Sequence, residues 1–193
     1  MSNSTDFKLD SGFFKGSNAE WVARKDAITP RGVAVAQSFY ADKALKDAGL
    51  VIDNDGGRRY DRFRDRIMFP IQNQRGSVIG FGGRVLGSGE PKYLNSPETP
   101  IYSKSRTLYG LNNSKGAIRK VGFAVLVEGY FDFAQVFQSD AAPAIATCGT
   151  ALTTQQAQLL RRFTSRVILS FDPDAAGQGA AARSCQLLVT EGF

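Results

Sequence analysis

The chain has 193 residues and a mass of 20.9 kDa, enough for one substantial core or two small ones. Apolar residues make up 42% of it and charged residues 22%, which excludes a disordered polypeptide. No histidine is present and the two cysteines, Cys148 and Cys185, lack any Cys-x-x-Cys spacing, which excludes imidazole metal sites, Ser-His and Cys-His nucleophile pairs and a zinc site.

Both cysteines read as buried small apolar residues. No apolar run reaches the roughly 18 residues of a membrane span. The start, Met1-Ser2-Asn3-Ser4-Thr5-Asp6, lacks the basic and apolar regions of a signal peptide, so a cytoplasmic location is expected.

Residues 1–31 mix Ser, Asn, Gly and charges without periodicity and, with the residues up to 38, read as a leader. The spacing of Val33, Ala36, Phe39, Tyr40 and Leu45 predicts a helix over 33–48, stopped by Gly49. The run Asp53-Asn54-Asp55-Gly56-Gly57 predicts a turn. From Tyr60 to Tyr109 the pattern becomes β-rich, with runs at Ile67–Ile71 and Ser77–Val85 broken by Gly and Pro clusters.

Beyond residue 120, apolar runs of strand length alternate with helical patterns: 123–127, 131–138, 143–147, 153–163, 166–171 and 175–189. This βαβαβα order predicts a parallel sheet covered by helices. Thr153-Thr154-Gln155-Gln156 has the spacing of a capping box, and Asp174 stands where an N-cap would precede the last helix.

The net charge of +6 is unevenly spread: residues 1–57 carry 7 basic and 8 acidic side chains, 58–120 carry 13 and 4, and 121–193 carry 4 and 6. A basic block of that size attracts polyanions by releasing condensed counterions, so nucleic acid or nucleotide is the expected partner.

Glu128 follows the strand pattern Val125-Leu126-Val127, and Asp172 follows Val167-Ile168-Leu169-Ser170-Phe171. Ligands of open parallel sheets bind at these carboxyl ends. Glu128, Asp172 and Asp174 are therefore expected to converge, a costly arrangement unless a cation lies between them. Oxygen-only donors suit Mg²⁺, which keeps waters and takes one or two carboxylates plus substrate phosphates. Asp132, one turn into the next helix, is a fourth metal ligand or a support for the others.

Two segments, Glu128-Gly129-Tyr130-Phe131-Asp132 and Phe171-Asp172-Pro173-Asp174-Ala175-Ala176-Gly177, resemble the acidic motifs of the TOPRIM domain shared by primases, topoisomerases and some nucleases. Three further stretches, Tyr60–Ile71, Gly80–Arg84 and Pro91–Thr99, resemble bacterial DnaG-type primases in particular. The resemblance covers roughly residues 39–193. It implies a mixed α+β basic subdomain over 39–120, followed by a TOPRIM, Rossmann-like parallel-sheet subdomain over 121–193.

By the same resemblance Arg62, Arg64, Arg66 and Lys92 line a groove for single-stranded DNA template and ribonucleotide triphosphates, joined by Arg84 and Lys104. Arg forks match phosphate, Lys supplies a point charge, and Tyr93 offers a ring for a base to stack on. Read without the family, Arg62, Arg64 and Arg66 form the polar face of a strand. Gly80-Phe81-Gly82-Gly83-Arg84 lacks dinucleotide-binding spacing, so bulges or close backbone approach account for its glycines.

The implied activity is primer synthesis: attack of a 3′-hydroxyl on the α-phosphate of a ribonucleotide triphosphate, with Mg²⁺ or Mn²⁺ held by Glu128, Asp172 and Asp174 and supported by Asp132. Members of the family usually add a zinc-binding domain, a replicative-helicase-binding domain and a further Asp-Pro-Asp motif. None of these has a counterpart here, so a truncated core is expected. Pro173 replaces a commoner Gly, and Ser103 a common His. The competing readings are a TOPRIM nuclease and an incomplete core that only holds single-stranded DNA.

Overall fold

The computed structural model describes residues 42–149 and 151–193. The leader and the part of the first predicted helix up to residue 41 lie outside them. The described residues form two compact units, one ending at Gln72 and resuming over Gly76–Tyr102, the other made of Asn73–Arg75 and Ser103–Phe193.

The first unit begins with α1 (Asp42–Asp47), closed by Gly49 at φ +66°. A side chain at Gly49 would collide with the Pro97 ring as well as strain the backbone. The predicted Asp53–Gly57 turn joins a hairpin of β1 (Val51–Asp53) and β2 (Arg59–Asp61), two strands too short to show alternation in the sequence. Arg59 Nε donates to Asp53 across it at 2.7 Å, and this bond, with Lys46 nearby, holds the Asp53 carboxyl down at about 2.

An antiparallel sheet follows, in the order β3 (Arg66–Gln72), β4 (Val78–Val85), β5 (Tyr93–Asn95). Pro70, which has no N–H to give a neighbour, lies in the edge strand β3. Phe63, Met68 and Phe81 form the apolar cluster of this unit. Gly80 and Gly83 are close-approach positions, as expected: a Cβ at Gly83 would stand 3.0 Å from both Phe63 and Arg66.

The second unit opens with a 3-10 turn, Lys104–Arg106, and a helix that the sequence does not announce, α2 (Leu111–Val121). Its apolar face is thin: the residues it buries are Leu111, Ser114 and Ile118. The end of α2 is finished by the rest of the unit, since Thr164 Oγ1 donates to Gly122 O at 2.8 Å and Arg166 Nε to the same oxygen at 3.0 Å.

Then come β6 (Ala124–Val127), α3 (Tyr130–Gln138), β7 (Ala144–Ala146), α4 (Thr154–Arg161), β8 (Val167–Ser170) and α5 (Ala175–Thr190), the expected βαβαβα. The sheet is parallel, with order β7-β6-β8. All four residues of the central β6 are buried, which is why its sequence is an unbroken apolar run, whereas the edge strand β8 alternates and leaves Ile168 52% exposed. Leu126, Ile118, Ile145, Ala157 and Leu160 form the centre of the core.

The capping box is present and does more than cap. Thr153 Oγ1 accepts from Gln156 N at 3.1 Å, and Gln156 Oε1 accepts from Thr153 N at 3.0 Å. The same Gln156 side chain, fully buried, donates to the carbonyls of Lys104 (3.0 Å) and Thr107 (2.8 Å), which seats the 3-10 turn on α4. Gln156→Leu removes three hydrogen bonds to part-buried main-chain groups and is expected to cost about 3 kcal/mol, against about 1 kcal/mol for Thr153→Ala. Urea unfolding checks this as midpoint shifts in that order at constant slope.

Candidate active site and nucleic-acid interface

The parallel sheet places the carboxyl ends of β6 and β8 side by side, with Val127 opposite Ser170. Glu128 leaves the first and Asp172 the second. The Asp172 N–H donates to Glu128 Oε1 at 3.0 Å, so the glutamate is clamped across the strand ends. Asp174 is the N-cap of α5, as predicted, and its Oδ1 accepts from Gly177 N at 2.7 Å. Gly177 is buried where α5 meets the clamp: a Cβ there would overlap the Asp172 carbonyl and stand 2.9 Å from Glu128 Oε1.

Asp132 turns back onto its own helix, its Oδ2 accepting from Gly129 N at 2.9 Å. The bond ties the start of α3 to the residue that follows Glu128. At the end of β7, Cys148 adopts φ +54° and donates its N–H to the Glu128 carbonyl at 2.9 Å. Burial pushes the Cys148 thiol well up, against a hydrogen bond with Tyr130 that lowers it, so the thiol stays protonated. Cys185, expected to be buried, is exposed: it falls on the outer side of α5, where helical periodicity and not apolar character decides burial.

Among the described residues no three Asp, Glu, Cys or His side chains stand together as a ready cage for a metal ion. The donor set nevertheless fits a hard divalent cation. It consists of carboxylate oxygens at one sheet edge, and such an ion takes one or two of them and completes its shell with water and phosphate.

The basic candidates divide by unit. Arg62, Arg64, Arg66, Arg84, Lys92 and Tyr93 belong to the first; Lys104 lies on the 3-10 turn of the second. Arg62 and Arg64 are not on a strand face. They occupy the connection between β2 and β3, where Asp65 takes a left-handed backbone conformation (φ +52°), so strand alternation does not explain their spacing. With Tyr60, Arg66, Glu90 and Pro91 they line a groove of about 430 Å³.

The Arg64 guanidinium lies 4.8 Å from the centroid of the Tyr60 ring, and Arg84 5.9 Å from that of Tyr93. Arg62 Nε is buried without an acceptor. Tyr93 is 43% exposed, and Lys92 beside it is exposed as well. Arg66 alone among these is buried, with its guanidinium directed at main-chain carbonyls. Tyr60 and Gly177 are the residues that sequence reasoning did not single out for a role; each sits inside a motif already noted, but only the packing shows what it touches.

A basic antiparallel unit followed by a parallel sheet with acids at the carboxyl ends of its strands places the chain in the class of proteins built on a Toprim domain. Residues 28–115 match the family described as DNA primase catalytic core, N-terminal domain, and residues 122–193 match the Toprim domain, a fold that uses divalent metal generally. The chain is 48% identical over 147 residues to a DNA primase of Neisseria meningitidis, covering 76% of this chain and 25% of that protein.

It is 47% identical over 173 residues to a DNA primase of Halalkalibacterium halodurans, covering 89% of this chain and 28% of that protein. The solved structure of a DnaG primase catalytic domain bound to single-stranded DNA superposes with TM-score 0.75 at 42% identity, over 89% of this chain and 56% of that one. The chain belongs to the bacterial DnaG-type primase family and corresponds to part of its catalytic core. It spans about a quarter of the length of the curated relatives it matches.

The contact at Gly177 generates a test. Alanine in a helix is ordinarily better than glycine by about 1 kcal/mol. Gly177→Ala is expected to lower the melting temperature despite that, because the methyl meets the Asp172 backbone. Gly179→Ala, whose Cβ would meet only the movable end of Arg183 at 3.2 Å, is expected to be neutral or to raise it. Thermal melts of the two variants, two residues apart on one helix, decide the point.

Proposed function

We propose that the chain carries the polymerising chemistry of a primase: DNA-templated synthesis of short RNA primers from ribonucleotide triphosphates for replication in the cytoplasm. The observation that carries this reading is the Glu128–Asp172 clamp at adjacent parallel strand ends, in a chain whose relatives are DNA primases. In this reading residues 39–120 bind nucleic acid and nucleotide, and residues 121–193 hold metal.

Glu128, Asp172 and Asp174 would hold Mg²⁺ or Mn²⁺, with Asp132 as support. When bound, the ion supplies positive charge to the attacking and leaving oxygens of phosphoryl transfer. The 3′-oxygen of the growing primer forms a bond to the α-phosphorus as the bond to the pyrophosphate oxygen breaks; the hydroxyl proton leaves to solvent and pyrophosphate departs.

The protein's own contribution is orientation. The Asp172 amide holds Glu128 Oε1, leaving the other carboxylate oxygen for a ligand, and the Gly177 amide does the same for Asp174. Arg62, Arg64, Arg84, Lys92 and Lys104 bind phosphates of the template and triphosphate, and Tyr93 stacks on a base. A replicative helicase is the partner expected of the family.

The test is primer synthesis from labelled ribonucleotides on single-stranded DNA with Mg²⁺ or Mn²⁺, comparing the chain with an Asp172→Asn, Asp174→Asn variant. Asparagine keeps the α5 cap while removing both charges. Product is expected from the parent and a loss of at least about 100-fold from the variant. No product from the parent, with salt-sensitive DNA binding intact, would leave a module that only holds single-stranded DNA. DNA cleavage without triphosphates would indicate a nuclease.

A further inference from the structure

Arg66 is 9% exposed and begins β3 opposite Val85. Its Nη1 donates to the Pro91 carbonyl at 2.7 Å, with the Gly83 and Lys92 carbonyls beside it at 3.4 and 3.5 Å. These three oxygens come from two segments, β4 and the stretch that leads into β5. Among the described residues no carboxylate pairs with this guanidinium, and its hydrogen bonds there go to main-chain carbonyls. The absence of a side chain at Gly83 leaves the room: a Cβ there would stand 3.0 Å from Arg66 Cδ.

The segment so held is otherwise lightly tied. Residues 86–93 are exposed; among the described residues Leu86 N–H donates to Asp65 O at 3.1 Å, Val85 N–H to the Lys92 carbonyl at 3.1 Å, and Lys92 N–H to Glu90 Oε2 at 3.2 Å. Lys92 and Tyr93, both exposed, lie in the chain between Pro91 and Leu94, which line the arginine-lined groove.

We propose that Arg66 is a positioning residue and not a phosphate contact: it latches Pro91 and Lys92 onto the β3–β4 ladder and thereby presents Lys92 and Tyr93 to the bound strand. The inference rests on the reading of Lys92 as a phosphate contact given above. Both segments are reached from one nitrogen, Nη1, whose two N–H groups diverge in the plane of the guanidinium.

The experiment is a double-mutant cycle of Arg66→Gln and Lys92→Ala in the full chain, reading single-stranded DNA affinity against salt, together with hydrogen exchange of residues 85–93. One lost phosphate contact reduces the slope of log affinity against log salt by about 0.7. The expected result is a reduction of about 0.7 in each single variant and the same about 0.7 in the double, with affinities non-additive. In a control cycle Arg66→Gln and Arg64→Gln stay additive within about twofold. Amides at 85–93 exchange faster in Arg66→Gln but not in Lys92→Ala.

A reduction of about 1.4 in the Arg66–Lys92 double variant, or unchanged exchange in Arg66→Gln, overturns the proposal. If Lys92→Ala alone leaves affinity and slope unchanged, the phosphate reading of Lys92 fails, and the exchange measurement alone then decides the latch. Should Arg66→Gln not fold, Arg66→Lys replaces it with the same criteria.

Discussion

A single hydrogen bond between neighbouring strand ends organises the acidic part of this molecule. Two parallel strands finish level with one another, and the peptide N–H that starts one turn is donated to the carboxylate that starts the other. Without that donor, Glu128 and Asp172 would be like charges on adjacent strands with every reason to diverge. With it, one oxygen of Glu128 is fixed and neighbouring groups inherit positions. α5 must approach closely enough that only glycine fits at 177, and the Cys148 amide holds the main chain of Glu128 from the far side.

The supporting bonds share a logic. Glu128, Asp132 and Asp174 each accept a backbone N–H on one oxygen. A backbone amide carries no net charge of its own, so these bonds fix the carboxylates without pairing them with a cation, as the proposed metal site requires. The acids need not form a closed cage to do this, because a magnesium-like ion brings waters and substrate oxygens to its own coordination shell.

The basic unit shows that charge is not role. Arg62, Arg64 and Arg66 are spaced alike in the sequence, yet their surroundings differ. Arg64 lies over the Tyr60 ring, Arg62 buries its Nε in the groove wall, and Arg66 is sealed against carbonyl oxygens. Under the latch proposed for Arg66, phosphate recognition falls to fewer side chains than the charge count implies, and the placement of Lys92 depends on a residue that keeps away from solvent.

Much of the fold is legible in the residues alone. Unbroken apolar runs of strand length mark β6 and β7, helical periodicity marks α3 to α5, and short-range chemistry marks the caps at Thr153 and Asp174, because each of these signals acts within a few residues. The carboxyl-end placement of Glu128 and Asp172 follows from the same pattern, since parallel strands alternating with helices must all point one way. What the sequence alone does not carry is set by distant partners. The helix α2 borrows its ending from Thr164 and Arg166. The β1–β2 hairpin and β5 are three residues a strand, too short to show a period. The sorting of the arginines, the need for glycine at 177 and the exposure of Cys185 all depend on which surface another segment covers, and only the tertiary structure decides that.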